Sequence, residues 1–420
     1  MKLTKLFATC LVIAMVWLLI ASLALAQDKA DLSRLVLIGD SLSAGFQNHS
    51  LLDSQQPHGY ASLVAAQAGV PLPLPLIAAP GIPNVLQLVS AGPPPVIVPA
   101  PGISTGRDNP FVQNTDLAVP GANVQDALTT RPTFTFNNLT DFVLGLPGAL
   151  TGISRSQVEW AEHLAPTAII VWLGNNDALG AAVAANPALL TPLPAFQTSY
   201  SEVIRRLRCT GAKLILANIP DVTVIPFLTP AETVAAQIGL PLFVIAPILG
   251  IGPGDFVTPD AFPLIPAILA NPALGPLPAS VVLTAAGAAT IQSAVNAYND
   301  FITLEARANG AALVDIHALT AKLQANGVVE GGQHLTTQFL GGLFSLDGVH
   351  PSNTGYALFA NEFITTLNTT FAAGIPLVSV REIEKNDPLV LPGVGQPPSA
   401  MGQISPESAK LLRAILAHSL

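Results

Sequence analysis

Short apolar runs punctuate this chain, and each gives way to a glycine or a polar residue. Leu35-Val36-Leu37-Ile38, Ala168–Leu173, Lys213–Ala217 and Ala312–Val314 lack the strict alternation of half-exposed strands. Being short and nearly continuous in apolar character, they predict buried parallel strands. Between them the period becomes helical. In Phe196–Cys209 the apolar positions Tyr200, Val203, Ile204 and Leu207 fall on one helix face. Ala285–Asn309 predicts a long helix that stops at Asn309-Gly310, and Ser352–Phe371 predicts another that ends near Gly374 and Pro376. Strands alternating with helices predict an α/β chain, a three-layer α/β/α sandwich with a central parallel sheet.

Two stretches break the alternation. Residues 70–109 are rich in Pro, Gly and Leu and show little helical period. Residues 219–280 hold uncharged apolar runs, such as Leu240–Ile251 and Phe262–Leu269. Pro241, Pro247, Pro263 and Pro266 argue against a membrane-spanning helix there. That insertion reads either as an extra core layer or as a mobile lid or acyl-chain surface near the site. The expected layout is a leader over 1–26, one domain over 27–375 carrying both insertions, and a tail over 376–420. Within the tail Asn386–Pro398 has loop composition. Ser405-Pro406-Glu407 opens a short helix whose stripe is Leu411, Leu412, Ile415 and Leu416, expected to dock on the domain.

Composition sharpens this picture. Half of the 420 residues are hydrophobic and only 10% are charged, far below the usual quarter. Apolar surface is therefore expected to face solvent, lipid, substrate or a partner. The net charge is −9 with no basic cluster, so no nucleic-acid partner is expected. Lys2 and Lys5, the apolar stretch Leu6–Leu23 and Ala24-Leu25-Ala26 before Gln27 read as a secretory signal peptide. Export to the periplasm, cell envelope or exterior follows as an expectation, with an uncleaved anchor as the alternative. Cys10 lies within the leader, so only Cys209 would remain, as a half-buried structural thiol, and no disulfide framework is expected.

The chemistry enters at Gly39-Asp40-Ser41, where the first apolar run stops. A buried strand fixes position, the glycine permits a tight turn, and the serine oxygen then stands at the sheet edge where ligands collect. Three further blocks follow in order: Val119-Pro120-Gly121-Ala122, Leu173-Gly174-Asn175-Asn176-Asp177 and Asp347-Gly348-Val349-His350-Pro351. With Gly39-Asp40-Ser41-Leu42-Ser43 they resemble the SGNH hydrolases, also called the GDSL lipase/esterase family, from about Leu35 to Thr370. The matching positions are Ser41, Gly121, Asn176 and His350, with Asp347 three residues before the histidine.

The resemblance implies a flavodoxin-like sandwich and a serine hydrolase that cleaves carboxylic esters without metal or cofactor. Ser41 would be the nucleophile, His350 its base and Asp347 the acid that orients the base. The oxyanion donors would be the Ser41 and Gly121 backbone N–H groups and the Asn176 side-chain amide. The residues support such roles unaided, since a serine needs a base near neutrality and the base needs an orienting partner. Taken singly, Gly121 reads as a turn after Pro120, Asn176 as a helix cap, and Asp347-x-x-His350 as a cap with a solvated histidine. Ser104, in Gly102-Ile103-Ser104-Thr105-Gly106, lies between prolines and reads as a loop residue. Ser43 follows the turn, and Asp315 with His317 reads as a structural pair at the sheet edge. His49, His58, His163, His334 and His418 show no metal spacing.

The expected function is an exported ester hydrolase acting through an acyl-enzyme on Ser41, its partner an ester substrate, with a lipid or membrane surface favoured by the apolar composition. A carbohydrate acetyl esterase is the alternative enzyme, and a non-catalytic lipid-binding surface protein on the same fold is the alternative class.

Overall fold

The computed structural model describes residues 30–91 and 95–390. The leader and the tail helix opening at Ser405 lie outside the described residues. All four expected strands are present: β1 (Leu35–Gly39), β2 (Ala168–Trp172), β3 (Lys213–Ala217) and β4 (Ala312–Val314). They pair in parallel in that spatial order, Leu35 opposite Ala168, Ala168 opposite Lys213 and Ile215 opposite Ala312. On the other side of β1, Leu37 donates to Thr115 and accepts from Leu117, and Val119 donates to Gly39. Residues 115–119 thus act as a rudimentary edge strand. Counting it second along the chain, the order is 2-1-3-4-5, that of flavodoxin-like folds.

Helices α1 (Tyr60–Ala68), α2 (Leu193–Arg208), α3 (Ala285–Asn309) and α4 (Asn353–Phe371) cover the sheet. Strand side chains alternate between faces, and the two cores follow that alternation. Val36, Ile38, Ile169, Val171, Leu214 and Leu216 pack with Tyr200 and Ile204 of α2 and Ile291 and Val295 of α3. Leu35, Leu37, Ile170, Trp172 and Ile215 pack with Tyr60 of α1 and Phe363 of α4. Trp172 is wholly buried and its indole N–H donates to the Asn218 carbonyl at 3.1 Å. Truncating such a side chain typically costs about 3–5 kcal/mol. The α2 helix begins three residues before the expected Phe196, because Pro194 sits in its first turn, where a proline loses no hydrogen bond.

The insertion over 70–109 forms an antiparallel pair, Leu86–Ser90 with Val96–Pro99, and no helix among its described residues. The second insertion builds a small core of its own. Val234, Ile245, Leu249, Val257 and Ile268 cluster among short helices and a three-stranded sheet, Thr229–Pro230, Phe256–Val257 and Val282–Leu283. Among the described residues no single helix is long and apolar enough to cross a membrane, and the paired helices Ala231–Ile238 and Leu242–Leu249 are bent by 108°. The start of the tail is docked: Val378 donates to Asn361 at 2.7 Å, and Asp387 accepts the Thr354 N–H and hydroxyl, both at 2.8 Å. Cys209 is exposed at the end of α2, not half-buried as expected, because the helix ends there and turns its last residues to solvent.

Candidate active site

Three chain segments leave the sheet side by side at its carboxyl edge, after β1, after residues 115–119 and after β2. Where the strand order reverses, the connections diverge to opposite faces and leave a crevice. The serine block opens with Gly39. A Cβ there would lie 2.3 Å from the Ser43 hydroxyl oxygen and 3.0 Å from the Trp172 carbonyl, so only glycine fits. Its N–H donates to Gln157 at 2.9 Å, which fixes where the strand ends.

The asparagine block ties the three segments together, one residue at a time. Asn175 donates to Asp40 at 2.8 Å, Asn176 donates to the Ala122 carbonyl at 2.9 Å, and Asp177 accepts the Val124 N–H at 3.1 Å. A carbonyl can only accept, so the Asn176 amide nitrogen must face Ala122 and keeps a second N–H. Burial pushes the Asp40 carboxyl up to about 6 against the bonds from Asn175 and Leu42. It pushes Asp177 to about 7 against bonds from Thr191 and Val124. Gly121 has φ +87°, a conformation that favours glycine. Among the described residues no protein group accepts from the Ser41 or Gly121 backbone N–H.

Ser41 and His350 are 309 positions apart and meet at 2.8 Å, His350 Nε2 to Ser41 Oγ. His350 Nδ1 lies 2.9 Å from Asp347 Oδ2. The carboxylate can only accept, so Nδ1 carries the proton and Nε2 accepts the serine hydroxyl. Asp347 is buried, which raises its carboxyl. The charge of His350 and the hydrogen bonds from its ring, its N–H and the Val349 N–H outweigh burial and hold Asp347 well below the usual carboxylate range. Phe46 packs against the imidazole with ring centroids 4.8 Å apart.

One contributor went unread in the sequence. Asn48 and His49 occupy a two-residue turn, closed by mutual backbone bonds between Gln47 and Ser50, with φ +50° and +63°. Its amides face the histidine loop: Asn48 N–H donates to Ser345 Oγ at 3.0 Å and His49 N–H to Asp347 Oδ2 at 2.8 Å. Asn48 Oδ1 accepts the Leu346 N–H at 3.0 Å. An asparagine, tolerant of left-handed backbone, was the only signal. The imidazole of His49 is buried with neither nitrogen partnered, and burial drops its pKa to about 4.

The competing residues sit elsewhere. Ser104 lies in a loop, its hydroxyl given to the Ala78 carbonyl at 2.7 Å. Ser43 is buried against the Tyr60 hydroxyl at 2.9 Å. Asp315 caps the helix Ile316–Asn326, and His317 Nδ1 lies 3.0 Å from the Ile219 carbonyl. Among the described residues no group of three or more His, Cys, Asp or Glu side chains could hold a metal ion.

The site thus places a serine, a histidine and an aspartate in one hydrogen-bonded row at the switch point of a parallel sheet. The sequence model of the GDSL-like lipase/acylhydrolase family matches residues 35–363. The chain belongs to that family, and it is a carboxylic ester hydrolase. No curated protein matches the sequence. Similar solved structures include an α/β hydrolase from the metagenome of Lake Arreo, 15% identical with a TM-score of 0.36 over 80% of this chain and 96% of that one. A catalytic mutant of an acetylxylan esterase from Geobacillus stearothermophilus is 12% identical, TM-score 0.35, over 80% and 94%. The psychrotrophic esterase EstA from Pseudoalteromonas sp. is 12% identical, TM-score 0.33, over 80% and 97%.

Proposed function

We propose that Ser41 is the nucleophile, His350 the general base and acid, and Asp347 the orienting carboxylate. One observation carries the reading: His350 bridges Ser41 and Asp347 at 2.8 and 2.9 Å inside a buried site. Ser41 Oγ adds to the ester carbonyl while its proton passes to His350 Nε2. The imidazolium so formed is stabilised by the ionised Asp347. The carbonyl oxygen becomes an oxyanion, for which the Ser41 and Gly121 N–H groups and the second Asn176 N–H are the donors. His350 returns the proton to the departing alkoxide, leaving an acyl-Ser41 ester. Water, deprotonated by His350, adds to that ester, and on collapse His350 gives that proton to the departing Ser41 Oγ, which releases the acid and restores Ser41.

The substrates are lipid or acyl esters. Support comes from the 10% charge content and from the apolar side chains that the second insertion exposes, Phe243 at 79% and Leu274 at 61%. The leader-like N-terminus supports an exported protein, which sequencing the N-terminus of the mature chain would test. For the site, a fluorophosphonate probe should label Ser41 alone, and Ser41→Ala should abolish both labelling and hydrolysis of p-nitrophenyl esters. Labelling at Ser43 or Ser104 would refute the assignment.

A further inference from the structure

A cavity of about 370 Å³ lies between the second insertion and residues 324–339. That size is within the range of small-molecule sites. Its lining is graded. Ile225, Leu228 and Phe339 are buried, as is Thr223, whose hydroxyl is taken by Asp221 at 2.7 Å and the Gln292 amide at 2.9 Å, whereas Gln324, Asn326 and Gln338 are exposed. Thr233, Gln237, Thr336 and Thr337 are half-buried between these extremes. No Asp, Glu, Lys or Arg lines it; His334 is its one titratable side chain, exposed and with Nε2 2.8 Å from the Asn326 carbonyl. Enclosing an ion in the buried part would leave its charge without a partner, since His334 sits at the exposed part, a cost that an uncharged ligand avoids. Apolar depth asks for a hydrocarbon chain. Hydroxyl and amide side chains toward the mouth ask for a neutral head that both donates and accepts.

The cavity also adjoins the candidate catalytic loop. Its wall uses residues 223–226 and 228–230, and Phe227 between them donates its N–H to the Gly348 carbonyl at 3.0 Å. Gly348 lies between Asp347 and His350 in sequence.

We infer that this cavity binds an uncharged acyl amphiphile, a hydrocarbon chain with a hydroxylated neutral head such as a monoacylglycerol, in preference to charged lipids. The choice of an ester as ligand rests on the ester-hydrolase reading above; the existence of the site does not.

The test uses the full chain as Ser41→Ala, so that the probe survives, and calorimetric titration with 1-monooctanoylglycerol below its critical micelle concentration. Octanoate supplies the anionic arm, a short-chain lysophosphatidylcholine the zwitterionic one, and a neutral disaccharide supplies a head without a chain. The monoglyceride should bind at least tenfold tighter than each of the three. Thr233→Trp, which fills the cavity from one wall, should weaken it at least tenfold. Gln338→Trp, at the exposed opposite wall, should weaken it too and guards against a misfolded first variant. Both substitutions in the Ser41-containing chain should leave p-nitrophenyl acetate hydrolysis unchanged. No monoglyceride binding, equal or tighter binding of a charged lipid or the disaccharide, or binding unaffected by both substitutions would overturn the inference. Loss of p-nitrophenyl acetate hydrolysis in the unsubstituted chain would instead refute the ester-hydrolase reading.

Discussion

Two aspartate–histidine pairs lie at the carboxyl edge of this sheet. Asp347 and His350 form one, Asp315 and His317 the other. In the first, the carboxylate faces the imidazole at 2.9 Å and the other ring nitrogen faces Ser41. In the second, Asp315 spends its oxygen on the Ala318 N–H and the Asn218 amide, and His317 Nδ1 turns to the Ile219 carbonyl. Residue type and sheet edge are shared, so neither accounts for the difference. What differs is the destination of each hydrogen bond. Asp347 divides its oxygens, Oδ1 accepting the Val349 and His350 N–H groups and Oδ2 facing the imidazole, whereas Asp315 Oδ1 holds the cap and Asn218 and no bond joins it to His317. Asp347 is held in place by four donors, the N–H groups of His49, Val349 and His350 and the imidazole itself.

The sharpest way to break the comparison is to remove each histidine. His350→Ala should cut kcat for p-nitrophenyl butyrate to near background, and His317→Ala should leave it within about threefold, since only the first touches Ser41, the proposed nucleophile. Equal losses would mean that the second pair takes part in the chemistry. Next in size is Asp347→Asn. It keeps the shape but loses the charge that stabilises the imidazolium, so kcat should fall by roughly three to four orders of magnitude. Near-normal activity would show that another acid orients His350.

Asn176→Ala probes the donors that the second pair lacks altogether. It should lower kcat by about a hundredfold or more with KM little changed, because the donor acts on charge that exists only in the transition state. Combined with Ser41→Ala it should add almost nothing. A rise in KM alone would make the amide a ground-state contact.

Much of this arrangement was legible in the chain, for a physical reason. Buried parallel strands are continuous apolar runs, so β1 to β4 stood out, and Ser41, Gly121 and Asn176 follow strands that end abruptly. The edge strand over 115–119 was missed because Thr115 and Asp116 interrupt its apolar character. Asp116 is nonetheless buried, pushed up to about 7 by desolvation against a bond from the Ala118 N–H. The Asn48-His49 turn was invisible because it acts through backbone amides, which every residue carries. The second insertion could not be resolved, since an apolar run reads alike as core, lid or surface. Its own core appears only when Val234, Ile245 and Val257 are seen together.

Acid separates the two pairs by stability. Asp40, Asp116 and Asp177 lie buried on the three segments that carry Ser41, Gly121 and Asn176, with folded pKa values of about 6, 7 and 7. A raised folded pKa means that the native state binds more protons than the unfolded one between about pH 4 and 7. Their contribution is full below about pH 4 and is lost as pH rises through 6 to 7. His49, depressed to about 4, acts in the opposite sense over about pH 4 to 6.5. Asp347, depressed, contributes fully above about pH 4 and drops out of this window. Three carboxyls against one histidine predict a higher thermal midpoint at pH 5 than at pH 7.5. Asp116→Asn should flatten that slope, and a midpoint that rises steadily with pH would contradict the assignment.

The smallest effect belongs to the second pair. Asp315 is exposed, and its side chain accepts from Ala318 at 3.0 Å as the cap of the helix Ile316–Asn326. Replacing a capping aspartate by alanine typically costs about 1 kcal/mol. Asp315→Ala should therefore lower the urea midpoint slightly with an unchanged slope, because the unfolding transition still exposes the same surface. Asp315→Ser, which can still cap, should restore most of the loss. The kcat of both variants should stay within about twofold of the parent, and its pH profile should not move, because Asp315 has no bond to His350 or Ser41. A shifted pH profile in Asp315→Ala, with the fold intact by the urea slope, would join the two pairs into one electrostatic unit and remove the distinction drawn between them.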